Sequence, residues 1–438
     1  MKSGYKGTLL DLDRRSRESV PPRRSRMSRD WIPLGGRLAA SADLEDAEAP
    51  RWPWLSALPL ALAAFRAGRL PLLRAAEQWR GRLFQEPVRL TRFVAIGYRT
   101  MPASVPDELA WLRHLGVRQV VLPIEPEASD AQQARTLAAI QHLRQEDLRV
   151  AAVLGLRRGA GAAPEAWHQF CHWILSQVGW QLDCAQLGDG IEAFVRERRG
   201  SHGAAALCAH VPRLRHDYPG VALLAPGVEQ VETPALVTAL RKLLPAGAAW
   251  DGMTLLAPAW QALGSVARDH LFLRQLTLAG GLAVRPGVAG GRVQVVFPPP
   301  QAGCDAAAAE RIAGSVVRRS VLALCSGVAD RVTIGMDAAT AVPERQTLST
   351  AIRTLVDQLE GGRLVRRVRV GDPKRDFVLE FAHTDKPSLL VGWTDGDPQQ
   401  VSVPFLVGTA SDFLGRSVPM LPHPRIRLTR SMAYFKAS

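Results

Sequence analysis

Five cysteines in 438 residues, with no close pair among them, exclude a disulfide framework and a zinc ribbon and favour a reducing compartment. Long apolar runs are missing too. The most apolar stretch, Trp54 to Ala64, has 11 residues and contains Pro59, whereas a span of the bilayer needs about 20. No apolar region follows the first charges, so no signal peptide is expected and the cytoplasm is the expected location. Lysine is scarce, with six among 55 basic residues, and aromatics make up 6% of the chain, with four Tyr.

What is present is ordinary globular composition: 47% hydrophobic and 22% charged residues. The length suits one large domain plus a smaller one. The net charge of +14 would suit nucleic acid, an anionic glycan or a membrane surface. It is spread over Arg-rich helices and strands instead of forming a folded basic motif, which argues against nucleic acid as the first partner. Part of it sits in residues 1–30, where nine Lys/Arg and Pro21-Pro22 accompany little apolar periodicity. Residues 1–45 are therefore expected to form a flexible basic arm, suited to an anionic glycan or a membrane surface, and 46–90 a helical lead-in.

From residue 91 apolar runs alternate with helical stretches. The runs start at residues 92, 117, 148, 180, 219, 249, 291 and 330, with helices expected at Asp107–Leu115, Ala131–Arg144, Glu165–Val178, Pro234–Leu244, Ser265–Leu278 and Ala306–Ser326. Continuous apolar strands separated by helices mean a parallel sheet buried on both faces. Eight repeats in this length predict an α/β fold of the (β/α)8 TIM-barrel type over 91–360. A doubly wound sheet would more usually carry a glycine fingerprint after its first strand, which here ends in Gly97-Tyr98-Arg99. A helix is expected at Leu348–Leu359. Beyond it, LVRRVRVG, DFVLEFAHT, SLLVGWTDG, QVSVPF and RIRLTRSMAYF alternate apolar and polar residues, which predicts a C-terminal antiparallel β-sandwich over 361–438.

In order and spacing, residues 90–438 resemble retaining glycoside hydrolases of the clan-A superfamily. The likeness is to the xylosidase/iduronidase-like branch, of the type found near bacterial envelope-polysaccharide genes. It is carried by Gly97-Tyr98-Arg99, by Trp167–Phe170 followed by WQLDCAQLGDG, by DYPGVALLAPGVEQVE, by RVQVVFPP and by DFLGR with LTRSMAYF. The resemblance implies an acid/base Glu after strand 4 and a nucleophile Glu after strand 7. Those positions hold Gly190 and Gln294. Glycine cannot transfer a proton, and a neutral amide cannot balance an oxocarbenium charge, so the usual two-carboxylate mechanism loses both its groups.

Replacement carboxylates exist. Asp189 and Glu192 flank Gly190, Glu125 and Glu127 follow strand 2, Glu229 and Glu232 follow strand 5, and Asp337 follows strand 8. Glu192 and Glu232 are the candidate replacements, and Arg99, Gln186, Asp189, Trp260, Gln294 and Asp337 the candidate substrate contacts. His168 and His172 lie four apart on one helix, but the metalloprotease pattern would need a Glu where Gln169 stands; they are read as packing residues and no metal is expected. The loop from Arg157 to Gly161 is read as an ordinary β/α loop, and Cys184 as a buried structural thiol. No cofactor is expected, and the oligomeric state is open. Three readings follow: a degenerate barrel that binds saccharide or a protein partner in envelope polysaccharide or lipopolysaccharide metabolism, an active glycosidase using shifted carboxylates, and a basic nucleic-acid-binding protein.

Overall fold

The computed structural model describes residues 83–84, 87–102, 104–126, 128–155, 164–188, 190, 201–228, 250–257, 269–283, 288–299, 305–336 and 342–438. The basic arm and most of the helical lead-in lie outside the described residues. Eight strands pair in parallel, each with the next in sequence: β1 (Val94–Tyr98), β2 (Gln119–Ile124), β3 (Arg149–Leu154), β4 (Leu182–Leu187), β5 (Ala222–Val228), β6 (Trp250–Leu256), β7 (Val288–Phe297) and β8 (Ala329–Met336). β8 pairs with β1, from Val94 against Val332 to Tyr98 against Met336, and the barrel closes.

Strand periodicity sorts the residues into two layers. Val94, Ile96, Val120, Leu122, Val150, Leu154 and Leu223 face outward into the large core shared with the helices. Ala95, Val121, Ala151, Cys184 and Leu224, with Val153 and Ala222, form a separate inner cluster. The small inner side chains fit a barrel interior that is packed instead of open.

Around the barrel run α1 (Val105–Leu115), α2 (Asp130–Gln145), α3 (Pro164–Val178), α4 (Ser201–Asp217), α5 (Asp269–Ala283), α6 (Ala306–Cys325) and α7 (Val342–Leu359). Local chemistry sets several ends. The Ser104 hydroxyl caps α1, and Gly116 terminates it at φ 71°. Ser129 and Gln132 form a reciprocal capping box on α2. α4 is a helix that the sequence pattern does not announce, since it holds Gly203 within its first turn and Pro212 inside it. The helix expected near Pro234–Leu244 falls outside the described residues.

The chain then builds an antiparallel sheet in the order β13-β15-β11-β10-β9, from β9 (Arg363–Arg367), β10 (Asp376–Ala382), β11 (Leu389–Thr394), β13 (Val407–Asp412) and β15 (Ala433–Ala437). A two-stranded ribbon of β12 (Gln399–Ser402) and β14 (Arg425–Leu428) completes the sandwich. Alternation again divides the faces. Phe377, Leu379, Phe381, Val391, Trp393 and Tyr434 join the barrel core, while Val378, Leu390, Ala433 and Phe435 pack with Val401, Ile426 and Leu428 of the ribbon. Burying rings such as Phe377 and Trp393 contributes about 1.5–3 kcal/mol each. The segment before β1 adds to this sheet: Leu90 N–H donates to the Gly362 carbonyl at 2.8 Å, and Leu364 N–H to the Val88 carbonyl at 2.9 Å. The chain on both sides of the barrel is thus tied into one β-layer.

Candidate active-site face of the barrel

In barrels of this kind chemistry belongs at the C-terminal ends of the strands. One residue before the end of β4, Gln186 is buried, and both ends of its amide are used. Its Nε2 donates to the Gly188 carbonyl at 2.8 Å, and its Oε1 accepts from Thr254 Oγ1 of β6 at 2.9 Å. The amide therefore clamps the turn after β4 to the far wall of the interior.

Gln294 lies deeper. It is three residues short of the end of β7, about 10 Å below it at 3.3 Å per residue. Arg331 of β8 stands directly opposite in register and donates from Nη2 to Gln294 Oε1 at 2.7 Å. The same guanidinium reaches Cys184 Sγ at 2.7 Å and lies 3.8 Å from Asp183. Burial pushes the Cys184 thiol up, with the adjacent guanidinium opposing, so the sulfur stays protonated and inert at neutral pH. Between β4 and β7 the described interior carries amides, a hydroxyl and a guanidinium. Retaining hydrolysis would require two carboxyl groups about 5–5.5 Å apart.

The rim is shaped by glycines. Gly190, just past β4, makes an isolated parallel bridge to Gly227 of β5. A Cβ on Gly227 would come within 2.7–2.8 Å of the Leu256 side chain, so Leu256 fills that quarter of the mouth. Past β2 and β3, a Cβ on Gly155 would lie 2.5 Å from Glu125 Oε2, so the carboxylate occupies the space that glycine leaves. The Gly155 carbonyl is held by Trp167 Nε1 at 3.1 Å. Of the sequence-predicted contacts, Gln186 and Gln294 are internal and hydrogen-bonded, and Arg99 is exposed just beyond β1. Asp189, Glu192, Glu232, Trp260 and Asp337 lie outside the described residues, as do Glu127, Glu229 and the loop from Arg157 to Gly161.

A polar chain missed by sequence reading runs outward from β1. The Tyr98 hydroxyl donates to Glu108 Oε2 at 2.9 Å, and Arg345 Nη2 donates to the same carboxylate at 2.9 and 3.0 Å while its guanidinium covers the Trp111 ring at 4.4 Å. Glu108 and Arg345 are far apart in sequence, and neither belongs to a motif. His168 stacks on His210 at 4.4 Å, and His210 pairs with Glu165 at 3.0 Å. Burial, then His210, lowers the His168 pKa and keeps that ring neutral. Among the described residues, no group of three His, Cys, Asp or Glu side chains is placed to hold a metal ion.

No protein-family model matches the sequence. No curated sequence relative matches it either. Solved structures do resemble the fold. A conserved exported protein from Bacteroides fragilis aligns at 8% identity and a TM-score of 0.52, over 81% of this chain and 99% of that one. A Paenibacillus polymyxa xyloglucanase of glycoside hydrolase family 44, solved with xyloglucan, aligns at 7% identity and a TM-score of 0.53, over 81% of this chain and 98% of the enzyme. Identities this low speak to the fold alone: a (β/α)8 barrel with a C-terminal β-domain.

Proposed function

We propose that the protein is a catalytically degenerate glycoside-hydrolase-like barrel. In this reading it binds a saccharide or a protein partner in the cytoplasm, in bacterial envelope polysaccharide or lipopolysaccharide metabolism. The observation that carries the reading is the Gln294–Arg331 pair. The sequence resemblance assigns the nucleophile position to Gln294, a neutral amide bonded at 2.7 Å to a largely buried cation about 10 Å below the end of β7. Such a site has nothing to attack an anomeric carbon, and a cation nearby disfavours a developing oxocarbenium charge. Gly190 in the acid/base position supports the same conclusion. A polar, hydrogen-bonded interior beneath a glycine-shaped rim still suits hydroxyl-rich ligands. A glycan-array binding measurement paired with an aryl-glycoside hydrolysis panel tests the proposal. Binding without turnover is expected; turnover would overturn it.

The second reading, an active glycosidase with shifted carboxylates, draws on Glu125, whose carboxylate sits at the rim against Gly155. It requires hydrolysis that disappears in Glu192→Gln or Glu232→Gln.

A further inference from the structure

The ribbon of the sandwich carries charge that the fold does not balance. β12 and β14 pair antiparallel, with Gln400 opposite Arg427 and Ser402 opposite Arg425. Strand alternation sends these four side chains to one face, where all are exposed. On the other face Val401, Ile426 and Leu428 are buried with Val378, Leu390 and Phe435 of the larger sheet. The two arginines leave the backbone about 7 Å apart along β14.

Among the described residues, neither the Arg425 nor the Arg427 guanidinium has an ion-pair or hydrogen-bond partner. Elsewhere in the same domain such a charge is met across the ladder: Arg366 of β9 faces Glu380 of β10, and its Nε donates to Oε2 at 2.7 Å. The ribbon instead sets a neutral amide and a hydroxyl opposite its arginines. Two like charges therefore share a face without the cross-strand carboxylates that would relieve them. Of the carboxylates just before β12, Asp395 accepts the backbone N–H of Asp269. Asp397 stands at the Leu428 end of the pairing, on the side of Arg430 and away from Arg425.

We infer that this face docks an anionic polysaccharide, with its acid groups (carboxylate or phosphate) on Arg425 and Arg427 and its hydroxyls on Gln400 and Ser402. The inference rests on the reading that the ligand of this protein is a saccharide. A guanidinium fork matches either anion, and the amide and hydroxyl both donate and accept. Other polyanions fit the face less well. β12 and β14 hold no aromatic ring on which a nucleic-acid base could stack. With its inner face packed on the sheet, the ribbon lies flush and does not project into a groove. Neither strand exposes a large apolar side chain for insertion into lipid.

Surface plasmon resonance measures the full chain against polygalacturonate, phosphomannan, duplex DNA and phosphatidylglycerol vesicles. The wild type is compared with the double variant Arg425→Gln with Arg427→Gln. A control of equal charge, Arg113→Gln with Arg118→Gln, alters two barrel arginines that are each 64% exposed. At least one acidic polysaccharide is expected to bind, about tenfold more weakly in the ribbon variant and unchanged in the control. The polysaccharide that binds identifies the acid group. An unchanged melting temperature in the ribbon variant shows that binding, not folding, is lost. No polysaccharide binding, binding that the ribbon variant leaves unchanged, or equal losses in the two variants would each overturn the inference. So would a loss confined to DNA or vesicles. Capture of neutral glycans by the ribbon variant at wild-type affinity reports separately on the barrel mouth, so failure of the ribbon and failure of the saccharide reading are distinguishable.

Discussion

The indole N–H of Trp393, in the sandwich, donates to Oδ2 of the fully buried Asp269 of barrel helix α5 at 2.9 Å. That carboxylate also accepts from Arg318 Nε at 3.2 Å and lies 3.7 Å from Arg319 Nε. Asp395, in the turn after β11, returns the tie by accepting the backbone N–H of Asp269 at 2.7 Å, so the sandwich caps the start of a barrel helix. The barrel and its β-domain are therefore joined by a buried ionic node as well as by apolar contact.

Removing one member should expose the cost of burying the others. Trp393→Phe keeps most of the packing but leaves Asp269 short of a donor, and should destabilise by about 1–3 kcal/mol. Asp269→Ala leaves Arg319 buried without its counter-ion and should cost about 3–5 kcal/mol. Urea unfolding midpoints provide the comparison; equal midpoints for all three proteins would contradict the role given to the node.

Asp395 makes the joint pH-dependent. Burial, then the charge of Asp269, pushes its carboxyl up to about 7, whereas in the unfolded chain it titrates near 3.9. A carboxyl raised by folding is favoured in its protonated form. Its contribution is therefore complete below about pH 4 and is lost as pH climbs towards about 7. Wild type should lose stability relative to Asp395→Asn over that interval. Melting curves recorded at several pH values across it check the sign, and a constant difference would contradict it.

The rim should resist even a methyl group. Gly227→Ala forces a Cβ into the branched end of Leu256 and should cost about 1–3 kcal/mol. The double variant Gly227→Ala with Leu256→Ala relieves that clash and should show a favourable coupling in a double-mutant cycle. Additive losses would mean that Leu256 does not fill this part of the mouth.

In the interior, Gln294→Leu removes the oxygen acceptor of Arg331 Nη2 and leaves it only the weaker Cys184 sulfur, which should cost about 1–3 kcal/mol. Gln294→Glu provides that guanidinium with a second carboxylate besides Asp183 and should fold well, yet produce no hydrolysis, because Gly190 supplies no acid. Thermal unfolding and an aryl-glycoside assay on the same two variants test both halves.

Much of this fold is legible in the sequence, because a buried parallel strand must be apolar on both faces and therefore announces itself. The run from Val117 to Pro126 contains β2, and the run from Leu148 to Leu156 contains β3. α4 escapes notice, since Gly203 and Pro212 are poor helix formers whose position is set by the strands on either side. RIRLTRSMAYF reads as one segment but folds as β14 and β15 in different sheets, and β13 goes unrecognised because Gly408, Thr409 and Ser411 give it little apolar alternation. At the site, Gly190 and Gln294 stand out through resemblance. The partners that define their chemistry do not: Arg331 holds Gln294, Thr254 holds Gln186 and Glu108 holds Arg345, all by contacts between distant parts of the chain.

The most direct test of the central claim is to incubate stoichiometric protein with each glycan that it captures and to follow the appearance of new reducing ends. The account predicts that the glycan stays bound and intact, with no release above a protein-free blank. Release of reducing ends that is abolished by Glu192→Gln or Glu232→Gln would contradict it.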